Sequence, residues 1–333
     1  MSQGESTSLN TDTDTWSRVE DLWFEDADVV FRAGSKLFRL SRCLLSRRSP
    51  VFNDILSIPA NATPIYEGCT LVHLPDGEED ATLFFRAIFD SSFFEAGPKP
   101  PPIETIIAIA RMSNKYQVGY LERRAFVHLN KLFYLEGDLH RRNLTALRQT
   151  GLIPSNSSKE ETNRVYKAYL DIIELAHSHD KKWVMPRAAT FFCMLASMDA
   201  VVKSDAWNAS TVSVREYTFL IRDKFRDARV RFLSCIPKLS GTVRPASALC
   251  CKARAVTMLS RVVTDPVLLT KYLPGERIWK DAACMLCPSC SKCLKSHISD
   301  AEVAFWKDLP ASLGIGTWRT LKEEKDSFMA GDT

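Results

Sequence analysis

Residues 28 to 52 read Asp28-Val29-Val30-Phe31-Arg32-Ala33, then Gly34-Ser35, then Lys36-Leu37-Phe38-Arg39-Leu40, then Ser41 through Phe52. Two runs rich in β-branched and aromatic residues, parted by a two-residue Gly-Ser loop, predict a tight hairpin, because glycine supplies the positive φ such turns need. Leu44 and Leu45 suit a short helix, and Ser49-Pro50 sets a capping hydroxyl beside a proline already shaped for a first helical turn. Val51, Phe52, Ile55 and Leu56 then give a second helix its apolar stripe. Strand, strand, helix, helix is the frame to which the neighbouring segments attach.

Downstream, 59–68 is a loop and Thr70-Leu71-Val72-His73-Leu74 a third strand, stopped by the turn sequence Pro75-Asp76-Gly77. Glu78, Glu79 and Asp80 suit the positive end of a following helix, on which Ala81, Phe84, Phe85, Ile88 and Phe89 share one face. The proline-rich stretch 91–102 is a loop. Ile103, Ile106, Ile107 and Ala110 mark another helix, ending near Tyr116, and Leu121, Ala125, His128 and Leu132 line the next. Upstream, residues 1–17 are polar apart from Trp16 and read as a disordered tail.

The order of these elements, with these residues, resembles a BTB/POZ domain. That family's pattern runs Asp-Val, a short turn, Phe-x-Val-His-Lys, a Leu-rich helix, then Ser-Pro-x-Phe. The matches are Asp28-Val29, Phe38-x-Leu40 and Ser49-Pro50-Val51-Phe52, while Ser41-Arg42 replaces the His-Lys pair. A second match lies at Lys115-Tyr116-x-Val118-x-x-Leu121, so the likeness covers residues from about 22 to 135 and implies a domain over 18–136. The resemblance implies a short sheet with a helical cluster, used for homodimerisation and for recruiting protein partners. It implies that Asp28 matches a buried aspartate shaping the dimer surface, and that Arg42 stands where the family has a basic partner. Members of the family are often substrate adaptors of a cullin-based ubiquitin ligase, and Ile65-Tyr66-Glu67 fits the hydrophobic-x-acidic element that assists cullin binding.

From Gly137 the pattern turns to long helices, giving an α+β class overall with a mostly α-helical C-terminal region over 137–325 and a short tail over 326–333. Ser158-Lys159-Glu160-Glu161 is a capping-box sequence ahead of Val165, Tyr169, Ile172, Ile173 and Ala176. Pro186 interrupts, Ala188 to Val202 is nearly all apolar, and a third helix runs from about Val214 to Cys235. The third carries six Lys or Arg against three Glu or Asp between Arg215 and Arg231, which suits either phosphate contact or a solvated face with local pairs at Asp223 and Asp227. Beyond a linker over 237–245, 246–263 reads as a helix carrying Cys250-Cys251. A terminal run, Trp306-x-x-Leu309-Pro310-x-x-x-Gly314-Ile315-x-x-Trp318, is similar to the C-terminal part of BTB proteins from mushroom-forming fungi.

Cys284, Cys287, Cys290 and Cys293 are spaced Cys-x-x-Cys-x-x-Cys-x-x-Cys. Paired thiolates at this spacing can grip one structural zinc, with Cys250 as an upstream ligand beside Cys284, Cys287 and Cys290. The rival reading is buried free thiols on a helix that begins near Pro288. Iron–sulphur ligation fits less well, because Leu294 stands where the bacterial ferredoxin spacing has proline.

Composition narrows the functional classes. Of 333 residues, 44 are Lys or Arg and 40 Asp or Glu, a near balance that does not call for nucleic acid. No run reaches the length of a membrane span and no signal peptide opens the chain, so an intracellular location with reduced cysteines is expected. Phosphate-binding loops, dinucleotide fingerprints and nucleophile elbows are missing, and His177-x-His179-Asp180 sits at a helix C-terminus, where imidazolium is favoured by the dipole. The expectation is a non-enzymatic interaction protein, with no cofactor required beyond the candidate zinc.

Overall fold

The structure is a computed structural model that describes residues 16–58, 64–95, 97, 100–133, 144–155, 158–195, 198–235 and 288–331. It is mixed α+β, with a five-stranded sheet in the first part and a helical C-terminal region. Contacts group the chain into two compact units divided between Phe126 and Val127, ten residues before the boundary expected from the resemblance.

In the first unit the strands are β1 (Ser17–Trp23), β2 (Val29–Ala33), β3 (Lys36–Leu40), β4 (Ile65–Tyr66) and β5 (Cys69–Leu74), in the order β1-β3-β2-β5-β4. The expected hairpin is present: β2 and β3 are antiparallel with Ala33 opposite Lys36, and Gly34 takes φ 57°. A β carbon there would meet the Glu78 carboxylate at 2.9 Å, so glycine is required by both backbone and space. β5 runs parallel to β2, and β1 parallel to β3 with a bulge between Arg18 and Trp23. Glu67 and Gly68 both have positive φ in the two-residue turn between β4 and β5.

Helices α1 (Arg42–Arg48) and α2 (Pro50–Leu56) follow the hairpin, each begun by a serine whose hydroxyl accepts a backbone N–H of its own first turn. Then come α3 (Glu78–Phe89), α4 (Ile103–Lys115) and α5 (Gly119–Leu132). They cover the sheet face that carries Phe31 and Phe38, building an aromatic core from Phe31, Phe38, Phe52, Phe84, Phe85 and Tyr116. Two motifs distant in the chain meet in it. Phe52 stacks flat on Tyr116 at 4.4 Å, and the Ser49 hydroxyl donates to the Tyr116 carbonyl. Burial and Asp76, which accepts from the Tyr116 hydroxyl at 2.6 Å, push that phenol upward and keep it neutral.

The other face holds a smaller cluster of Val30, Leu37 and Cys69 under Trp16, Trp23, Tyr66 and Leu71. β1 and β4 are opposite edges, which a flat five-stranded sheet would set about 19 Å apart. Yet the Trp16 and Tyr66 rings lie 6.0 Å apart, and Arg18 forms an ion pair with Glu67. The sheet therefore curls, and side chains from its two edges clasp across the concave face.

The second unit contains α6 (Leu144–Gln149), α7 (Lys159–Ser178), α8 (Met185–Leu195), α9 (Met198–Val202), α10 (Asp205–Ala209), α11 (Val212–Cys235), α12 (Pro288–Ser312) and α13 (Trp318–Ala330). Ser158 caps α7 by accepting the Glu161 N–H, but the Glu161 side chain turns to Arg164 and Ser155, so the box is not reciprocal. Pro186 is the second residue of α8 and opens that helix instead of breaking it. Tyr169 on α7 stacks on Phe192 of α8 at 5.7 Å, and Trp306 of α12 on Trp318 of α13 at 4.4 Å. Two expected boundaries move. Ser17 opens β1 and the Trp16 ring packs on the concave cluster, and residues 326–330 belong to α13, where Phe328 packs on Trp183.

Candidate functional site

Asp28 and Arg42, the two residues carried over from the resemblance, are brought together. One Asp28 oxygen accepts the Arg42 backbone N–H at 2.9 Å and the other lies 3.7 Å from its guanidinium. A carboxylate at the first N–H of a helix satisfies one of the donors that the helix cannot use internally. The Arg42 guanidinium continues to the Leu56 carbonyl at the end of α2, so the pair ties the β2 entrance to both short helices. Asp28 is not buried in the single chain: its side chain is 59% exposed.

The same region offers an open edge. β1 pairs with β3 on one side and, among the described residues, with no strand on the other. Asp21 on β1 takes a forked pair of hydrogen bonds from Arg86 of α3, at 2.6 and 3.0 Å, which holds its carboxyl below the usual range. Beyond the strand's end Phe24, 36% exposed, lies stacked on Phe89 of α3 at 5.4 Å. An unpaired strand edge beside an accessible aromatic pair is a surface suited to another polypeptide.

Ile65, Tyr66 and Glu67 are placed in three different environments. Ile65 is 71% exposed, Tyr66 packs in the concave cluster, and Glu67 holds Arg18. The acidic member of the expected cullin-binding element thus already closes the sheet's clasp.

Of the candidate zinc ligands, Cys250, Cys284 and Cys287 lie outside the described residues, and Cys290 is described only by its place in the first turn of α12. The histidine run has structural roles. His179 ends α7, His177 tilts against Tyr217 at 5.0 Å, and Asp180 pairs with Lys182. On α11, Arg226 pairs with Asp223 at 2.5 Å, and Arg215 wraps the end of α10 by donating to the Trp207, Asn208 and Ser210 carbonyls. Both side chains are thereby engaged locally.

Sequence reasoning missed β1 and the clasp. The signal for β1 is faint, since only Val19 and Leu22 of its seven residues are buried and the bulge breaks the alternation. No family model matches the chain, and no curated protein or solved structure does so either. Among the described residues no helix is long and apolar enough to cross a membrane.

Proposed function

We propose that the chain is a non-catalytic interaction protein whose first unit, a BTB/POZ-like module, self-associates into a homodimer and recruits protein partners. The observation that carries this reading is the free edge of β1, flanked by the Phe24–Phe89 stack and lying on the same unit as the half-open Asp28–Arg42 pair. Pairing that edge with a second copy satisfies a row of backbone groups that no strand among the described residues pairs, and covers aromatic surface. Light scattering of the full chain tests it: a mass twice the chain's 37.6 kDa is expected, falling toward one chain for Phe24→Lys. A single-chain mass at every concentration removes the reading.

A second reading, a substrate adaptor of a cullin-based ubiquitin ligase, is favoured by the exposure of Ile65. It requires Glu67 to exchange Arg18 for a group on the cullin. A pull-down with purified cullin separates the two, because Glu67→Lys abolishes capture only under the adaptor reading. Failure of the wild type to capture cullin sinks that reading and leaves the first intact.

A further inference from the structure

The arginines of the first unit fall into two populations. Arg18, Arg39, Arg42, Arg86 and Arg111 each pair with a carboxylate, and Arg32 lies on the Trp16 ring. Among the described residues Arg47, Arg48, Arg123 and Arg124 have no carboxylate partner; Arg48 at the end of α1 and Arg124 in α5 meet on one ring, and Arg47 and Arg123 are their chain neighbours.

Tyr120 organises them. The Arg48 guanidinium lies 5.0 Å from the centre of its ring and that of Arg124 5.6 Å. Arg123 shares the helix face of Tyr120 and Arg124 by its spacing, and its Nε is buried without an acceptor. Arg124 has a single neutral acceptor, the Phe94 carbonyl, at 3.4 Å. Burial raises the Tyr120 phenol against the opposing pull of both guanidiniums, so the ring holds the cations without supplying a countercharge. Arg47 and Arg48 in the last turn of α1 gain something from the helix dipole, but a seven-residue helix cannot neutralise them.

We propose that Arg48 and Arg124, set on Tyr120 and joined by Arg47 and Arg123, form a binding site for a phosphate dianion carried on a partner polypeptide. Both forks are donors held in place, and a tetrahedral dianion at the rim of the ring accepts from each, the geometry in which guanidinium outperforms ammonium. The site is compact, centred on one ring, in a chain of nearly balanced charge. That fits one phosphorylated side chain better than the repeated phosphates of a nucleic acid backbone. The inference deepens the partner-recruitment reading and rests on it, giving the partner a chemical signature.

The test uses the full chain and a fluorescein-labelled Gly/Ser peptide with one central phosphoserine, followed by anisotropy. Binding is expected to be saturable, absent for the unphosphorylated peptide, and competed by inorganic phosphate. It should weaken about tenfold or more in the Arg48→Gln/Arg124→Gln variant and stay unchanged in Arg111→Gln, whose guanidinium pairs with Asp80 away from both the β1 edge and Tyr120. Arg48→Gln alone keeps the test usable if the double variant misfolds, since that side chain is exposed and lies on the Tyr120 ring. No binding by the wild type, undiminished binding by either variant, or preference for oligothymidylate or for phosphatidylcholine–phosphatidylserine vesicles overturns the assignment. A chain that still dimerises while ignoring the phosphopeptide loses this inference alone.

Discussion

The two faces of the sheet are closed in different ways. On the helix side, six aromatic rings interlock without exposure, and the polar groups around them, Ser49, the Tyr116 carbonyl and Asp76, are satisfied internally. On the concave side, three half-covered rings are bridged by one solvent-facing ion pair, Arg18–Glu67, and the Trp23 indole N–H has no acceptor. The contrast separates what makes the fold from what stays adjustable. A dry interior resists change, whereas a clasp of exposed charges contributes little to stability and can open for a partner.

The dry interior is most vulnerable at Phe52, which touches Phe31, Phe84, Phe85 and Tyr116. Phe52→Ala should cost about 3–5 kcal/mol by leaving a cavity where four rings meet, measured by urea unfolding. Ser49→Ala, which removes both the α2 cap and the bond to Tyr116, should cost about 1–2 kcal/mol in the same assay. Glu67→Ala on the concave side should change stability by less than about 1 kcal/mol, because both partners are largely solvated. It should still speed amide exchange in β1 more than in β2. A loss as large as that of Ser49→Ala would mean that the clasp is a core element after all.

The smallest effect concerns the hairpin, which serves both faces. Glu78 accepts from the Ser35 amide at 3.0 Å and hydroxyl at 2.6 Å, and these donors hold its carboxyl below the ordinary range. A carboxylate depressed in the folded state adds stability above its unfolded titration range and loses it as pH falls through the folded value. The melting-temperature gap between wild type and Glu78→Gln should therefore be present at neutral pH and close on acidification. A gap that widened in acid would contradict the latch.

Much of the helix-side architecture was legible, because hairpin and capping signals are local: Gly34-Ser35 turns and Ser49-Pro50 starts α2. The meeting of Ser49-Pro50-Val51-Phe52 with Tyr116 was not legible, since no spacing rule links residues so far apart. The Arg48–Tyr120–Arg124 cluster gave no signal at all. Its members belong to two helices, and stacking of a cation on a ring leaves no periodic trace. The tail assigned to 326–333 misled for a related reason, as Lys325 and Asp326 mask an anchor at Phe328.

The tryptophan stack of the second unit has a practical consequence. Trp306 and Trp318 lie face to face, and the Trp318 indole N–H is fixed to the Trp306 carbonyl at 2.7 Å. Two indoles so oriented couple their electronic transitions, which splits the far-ultraviolet circular dichroism band into a couplet. Among the described residues that indole pair belongs to the last two helices, so melting there can be watched separately from the sheet without attaching any label.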